Sequence, residues 1–244
     1  MKNESNWRET KFLLGKDGVM ANIKYTGAGS FVYTQQLARV ISEVVKKYTK
    51  GNVLDYGCGS CPLFGFYRRY AQSVTCVDWA QSSHKIDHAD ILNDLSVSHV
   101  SFGVFETIIC TDLLEHLPNI TVAIDNITKM LSKNGVIIIS TPFMYPIHEE
   151  PHDYSRPTSF LLDRAFSISG CERICIIPFG GGATLFIDMA LKWIDRVGLI
   201  PRPIKTVIAR IAAFALRRVP LKWIDSITQQ KIPSGYVAVF TKHD

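Results

Sequence analysis

No stretch of this 244-residue sequence approaches the roughly 18 apolar residues that a membrane-crossing helix needs. The longest candidate, Thr206 to Leu216, is short and interrupted by Arg210. The opening segment, MKNESNWRETKFLLGK, holds no apolar core of the kind a secretory signal requires, so a cytoplasmic protein is expected. Cysteine is sparse. Most of the six lie in apolar, strand-like runs, which suits reduced thiols in a core. Cys58-x-x-Cys61 has the spacing of half a zinc site. Cys171-x-x-x-Cys175 lies in an alternating pattern and supplies no second half, so no metal is expected. Charge excess is small as well: 27 Lys and Arg against 22 Asp and Glu leave +5, weak support for a polyanionic partner. A composition 47% hydrophobic and 20% charged excludes a disordered or fibrous chain.

That small excess is unevenly placed. From Lys192 to Asp244 there are ten basic residues and three acidic ones, whereas residues 1–191 are slightly acidic. A basic, amphipathic segment of this kind suits either a solvated helical face or an anionic surface.

Apolar spacing at Leu37, Val40, Ile41, Val44, Val45 and Tyr48 predicts a helix over Gln36–Tyr48, stopped by Gly51. Short β-branched runs follow at Asn52–Asp55, Ser73–Asp78, Glu106–Cys110, Gly135–Ser140, Arg173–Pro178 and Tyr236–Thr241, with a helix near Ile120–Ser132. Strands alternating with helices predict an α/β fold with a mostly parallel sheet. The expected organisation is an N-terminal arm (1–30), a core (31–179), a helical insertion (180–232) and a last core strand (233–244). Within the insertion, one helix is expected to place Leu185, Met189, Trp193, Ile194 and Val197 on its apolar side, with Asp188, Lys192, Asp195 and Arg196 opposite. A second is expected to group Ile204, Val207, Ile208, Ile211, Phe214 and Ala215 on its apolar side, with Arg202, Lys205, Arg210 and Arg217 on the opposite arc. The pentapeptide Leu-Lys-Trp-Ile-Asp at 191–195 recurs at 221–225.

Ligands of parallel sheets sit beyond the C-terminal ends of the strands. There the chain reads Val53-Leu-Asp-Tyr-Gly-Cys-Gly-Ser-Cys61. The dinucleotide fingerprint G-x-G-x-x-G fails at Pro62, and no P-loop Gly-Lys-Ser/Thr is present. A carboxylate, Asp55, two residues before the first glycine would repel a pyrophosphate but suits a cationic ligand.

With these residues the sequence resembles the class I S-adenosylmethionine-dependent methyltransferases. Asp78 in VTCVDWA, Asp90 in HADI, FETIICTDLLEHLPN and LSKNGVIIISTP follow in the family's order. The resemblance implies a doubly wound, mostly parallel seven-stranded Rossmann-like sheet with a helical insertion before the last strand, and S-adenosyl-L-methionine as cofactor. It assigns cofactor binding to Asp55, Gly57, Cys58, Gly59, Asp78, Trp79, Asp90, Ile91, Cys110 and Thr111. Cys61 departs from the glycine common at its position. The loop PFMYPIHEEPHDYSRP resembles a bacterial branch associated with surface-polysaccharide and secondary biosynthesis. Its four prolines exclude a helix. Candidate bases are His148 and His152, with His116 of the Leu-Glu-His step third. Tyr145, Tyr154 and Arg156 are the expected acceptor-binding residues.

The implied partner is a small-molecule or glycan acceptor, methylated at oxygen. The basic 192–232 region, with Trp193, Phe214 and Trp223, adds the expectations of a lipid-linked acceptor and a peripheral contact at the inner face of the membrane; a homodimer contact is another use for it. The Asn/Asp-Pro-Pro-Tyr/Phe step of DNA base methylation is replaced by Thr111-Asp112-Leu113. A cofactor-binding protein without transfer activity and an RNA methyltransferase are the alternatives.

Overall fold

The computed structural model describes residues 1–196, 200–218 and 227–243. Val197, Trp223 and the second Leu-Lys-Trp-Ile-Asp copy lie outside the described residues, as do the side chains of Ala215 and Arg217.

A hairpin, β1 (Phe12–Leu14) and β2 (Val19–Ala21), precedes helix α1 (Ile23–Tyr48). The helix begins well before the predicted Gln36: Asn22 caps it by accepting the Lys24 N–H, and Gly27 kinks it. The remaining elements are β3 (Asn52–Tyr56), α2 (Phe64–Tyr67), β4 (Ser73–Asp78), β5 (Ile91–Leu92), β6 (Phe105–Thr111), α3 (Ile120–Met130), β7 (Leu131–Pro142), α4 (Ser159–Ile168), β8 (Cys171–Phe179), α5 (Gly182–Arg196), α6 (Arg202–Arg218) and β9 (Gly235–Lys242).

The seven-stranded sheet runs β5-β4-β3-β6-β7-β9-β8, with β9 antiparallel to both neighbours and the other strands sharing one direction. Its centre is apolar on both faces. Ile108, Ile109, Ile137, Ile138 and Ile139 are fully buried. Each isoleucine removed from water contributes about 1.5–3 kcal/mol. Helix α3 covers one face through Ile120, Ala123, Ile124 and Ile127, and Asn119 caps it by accepting from Thr121 and Val122. Helix α1 covers the other face through Leu37, Ile41, Val44 and Val45. Strand order reverses between β3 and β6, and this switch point opens the crevice that holds the site.

Helices α5 and α6 pack on α1 around Ala28, Val32, Leu191 and Ala209. Two side assignments are corrected here. On α5 the polar pair Asp188 and Lys192 is buried while Trp193 is 70% exposed. Helix α1 supplies the reason: Asp188 accepts the Tyr33 N–H, and the Lys192 ammonium lies over the Tyr145 and Tyr33 rings. Among the described side chains of α6 the buried ones are Lys205 and Ala209, whereas Ile204, Val207 and Ile211 are 51%, 53% and 63% exposed. Periodicity defines a helix face without saying whether protein or solvent covers it.

Candidate active site

The floor of the crevice is the turn after β3. The N–H groups of Gly57 and Cys58 both donate to the Val77 carbonyl, at 2.9 and 3.0 Å. The Gly59 N–H donates to Asp78 Oδ2 at 2.5 Å, and Trp79 N–H donates to Asp78 Oδ1 at 2.7 Å. This clamp holds the buried Asp78 carboxylate at the end of β4, facing the turn. Gly57 has φ +78°, and a Cβ there would fall 2.5 Å from Leu113 Cδ2, so the position demands glycine.

Two cavities meet above the turn and share Gly57, Gly59, His84, Asp112, His116 and Glu149. The first, of about 500 Å³, is walled by Asp78, Trp79, Asp94, Leu95, His152 and Tyr154. The second, of about 360 Å³, is walled by Lys11, Tyr33, Thr111, Glu115, Tyr145 and His148, with Cys58 on its floor. His84 Nε2 meets Glu149 Oε1 at 3.1 Å, and Ser83 donates to Glu149 Oε2 at 2.8 Å, so the two loops that carry them touch across the mouth.

Five residues expected at the site do not line either cavity. Asp55 turns under the sheet, where its Oδ2 accepts the Tyr67 hydroxyl at 2.6 Å. Asp90 and Ile91 sit at the N-terminal end of β5: Asp90 precedes the strand, accepts the Cys76 N–H and pairs with the N-terminal ammonium at 3.5 Å. The carboxylate beyond the C-terminal end of β5 is Asp94. Cys110 is fully buried in the core. Arg156 is spent on structure: Nη1 and Nη2 clamp Asp153 at 2.5 and 2.7 Å, and Nη2 also donates to the Pro146 carbonyl.

The three candidate histidines occupy different positions. His152 belongs to the larger cavity, edge-on to Trp79 at 5.1 Å. His116 Nδ1–H donates to the His152 carbonyl at 2.6 Å, which leaves Nε2 facing Glu115 Oε1 at 3.8 Å. His148 stands in the smaller cavity between Tyr145 and His116. Its Nδ1 lies 3.2 Å from Asp153 Oδ2 but off the hydrogen-bond line. Burial, and then the neighbouring His116, pull the His148 pKa below 6.5, so the ring is neutral near pH 7. Glu115 is pushed the other way, well above the usual carboxylate range, by burial and by Asp112. One donor atom each from Glu115, His116 and His148 lies within 4.8 Å of the others.

The sequence reading missed the network on the opposite wall. Lys11 Nζ donates to Asp112 Oδ2 at 2.6 Å; Ser140 Oγ and Tyr33 Oη donate to Oδ1 at 2.7 and 3.3 Å. Burial opposes both charges. Lys11 outweighs it and holds Asp112 below its ordinary pKa, while Asp112 holds Lys11 above its own. Asp112 adopts φ +48°, a left-handed backbone that costs an ordinary residue about 1–2 kcal/mol. The sequence distance of Lys11 from Asp112 hid this pair; no local motif announces it.

Comparison with known proteins adds three findings. A family model described as a methyltransferase domain matches residues 31–167. The ubiquinone biosynthesis O-methyltransferase of Psychrobacter cryohalolentis is 27% identical over 115 residues, 42% of this chain and 43% of that one. Nodulation protein S of Azorhizobium caulinodans is 27% identical over 121 residues, 45% of this chain and 58% of that one. The chain therefore spans less than two thirds of these relatives. Among solved structures, the [4+2]-cyclase SpnF superposes with a TM-score of 0.54 at 15% identity, covering 86% of this chain and 83% of that one. The N-methyltransferase NodS of Bradyrhizobium japonicum gives 0.51 at 11%, covering 87% and 97%. At such identities these superpositions show the fold.

Proposed function

Because the chain belongs to the class I S-adenosylmethionine-dependent methyltransferases, we propose that it transfers the cofactor's methyl group to an oxygen of a small-molecule or glycan acceptor. The observation that carries this reading is the pair of cavities joined at Gly57, Gly59 and Asp112, with a neutral histidine in the smaller one.

The fold family's cofactor fits the larger cavity. The Asp78 carboxylate, already oriented by two backbone N–H groups, suits a pair of ribose hydroxyls. Trp79 and Leu95 offer apolar surface to a purine, and Asp94 a carboxylate to its amino group. Cys58 and Thr111 lie on the smaller cavity's side of the turn. When bound, S-adenosyl-L-methionine supplies an electrophilic methyl on a sulfonium. The chain's own work is to orient the acceptor, exclude water and take a proton.

His148 is the base in this account. It is neutral at pH 7, and Asp153, fixed by Arg156, stands behind it to stabilise the imidazolium that forms. His152 lies in the nucleoside cavity and His116 is tied to a carbonyl, so neither takes that role. Tyr145 and Tyr33 provide aromatic walls for a sugar or ring, and Tyr154 sits on the cofactor side. Incubating the enzyme with methyl-labelled cofactor and candidate hydroxyl acceptors tests transfer. Cofactor binding with no label moved to any acceptor would favour the non-transferring alternative, a real one because this fold also carries a cyclase.

The outward stripe on α6 supports a second element. No described helix is long and apolar enough to cross a membrane. Ile204, Val207, Ile211, and Trp193 on α5, are nevertheless exposed, and α6 also exposes Arg202 and Arg210. This composition suits shallow contact with an anionic bilayer, hence a lipid-linked acceptor at the inner membrane face. Vesicles containing anionic lipid should sediment the protein at low salt and release it at high salt. A concentration-dependent dimer with no vesicle binding would assign the stripe to a second copy.

A further inference from the structure

Behind the turn after β3, the fold gathers three thiols that the sequence separates. Cys58 and Cys61 come from the turn and Cys76 from the middle of β4. All three are buried, at 2%, 0% and 0% exposure. One sulfur from each lies within 4.8 Å of the others, and Cys61 Sγ is 3.7 Å from Cys76 Sγ. Tetrahedral zinc with bonds of about 2.3 Å sets its sulfur ligands about 3.8 Å apart. The half-site visible in the sequence thus finds its partner in a strand, not in a second Cys-x-x-Cys.

One further observation bears on the cluster. Cys61 occupies a left-handed backbone, φ +52°, where glycine would be unstrained; a thiol is kept at a position that favours no side chain.

We propose that Cys58, Cys61 and Cys76 bind one thiophilic divalent cation of the zinc class. The ligating thiols release their protons to solvent, and no electron transfer is involved. The site is structural: it pins the turn that carries Gly57 and Gly59 to β4 and leaves the cavities above it open.

Cadmium is the probe, because its bonds to thiolate absorb in the near ultraviolet. Titration of the reduced protein should build this band to saturation at one equivalent. Cys61→Gly fits the φ of its site, so it should fold and keep cofactor binding while its cadmium affinity falls by more than about tenfold. A Cys171→Ser/Cys175→Ser double variant should titrate like the parent. If Cys61→Gly does not fold, Cys76→Ser serves as the second test and should lose the band. Absence of a one-equivalent band in the parent overturns the proposal. So does a band unchanged in Cys61→Gly or Cys76→Ser, or one lost only with Cys171 and Cys175.

Discussion

Replacing Gly59 with alanine separates the fold from the site. The backbone there has φ +52°, so alanine costs about 1–2 kcal/mol. Its methyl group meets nothing closer than His84 Cδ2 at 3.5 Å, an ordinary contact, so no clash adds to that cost. For a domain of this size each kcal/mol moves Tm by about 2–4 °C, giving an expected fall of about 2–8 °C with cooperative unfolding retained. The methyl group would stand where both cavities meet. Affinity for S-adenosylhomocysteine should then fall at least about tenfold, or about 1.4 kcal/mol. Differential scanning calorimetry and isothermal titration read the two effects separately. An unchanged Kd beside the expected Tm shift would refute the placement of the cofactor over this turn. Gly57→Ala is the contrast: its methyl group meets Leu113 at 2.5 Å, so it should cost clearly more stability than Gly59→Ala.

Three other outcomes are expected. The kcat/KM of the parent should rise with pH through a value below 6.5, where His148 loses its proton; His148→Asn should remove that limb and lower kcat by about 10²–10⁴-fold at unchanged cofactor affinity. Lys11→Met leaves Asp112 without its cation and should cost about 1–3 kcal/mol in urea unfolding; a change below 0.5 kcal/mol, roughly the scatter of surface substitutions, would deny the pair a structural role. The contact of His84 with Glu149 should stabilise most between about pH 4.5 and 6.5. Glu149 is lowered to about 2 by His84, so its contribution is lost as pH falls from 4.5 towards 2. His84 is raised by Glu149, so its share is full below 6.5 and is lost as pH rises through its higher folded value. The Tm difference between the parent and Glu149→Gln, followed across pH, should peak in that window; a flat difference contradicts the contact.

The strands were legible because they bury both faces and so read as β-branched runs, as GVIIIS does in β7. The glycine turn was legible because positive φ and close backbone approach leave few residue choices. Asp78 and Trp79 could be assigned to the end of β4 because that end is marked by its run. The end of β5 was not legible, for the opposite reason. Strand β5 has two residues, too few for any pattern, so the carboxylate before it was read in place of Asp94 after it. Lys11, Tyr33 and Asp112 meet only through tertiary structure, and neither the outward face of α6 nor the approach of Cys76 to Cys58 and Cys61 leaves a local trace in the sequence.

The central claim is that the Asp78 clamp and the glycine turn form the cofactor site. Calorimetric titration of S-adenosylhomocysteine into the parent and into Asp78→Ala tests it most directly. The account predicts one site in the parent and no measurable heat of binding in a folded Asp78→Ala. No binding to the parent, or equal affinity in the two proteins, would contradict it.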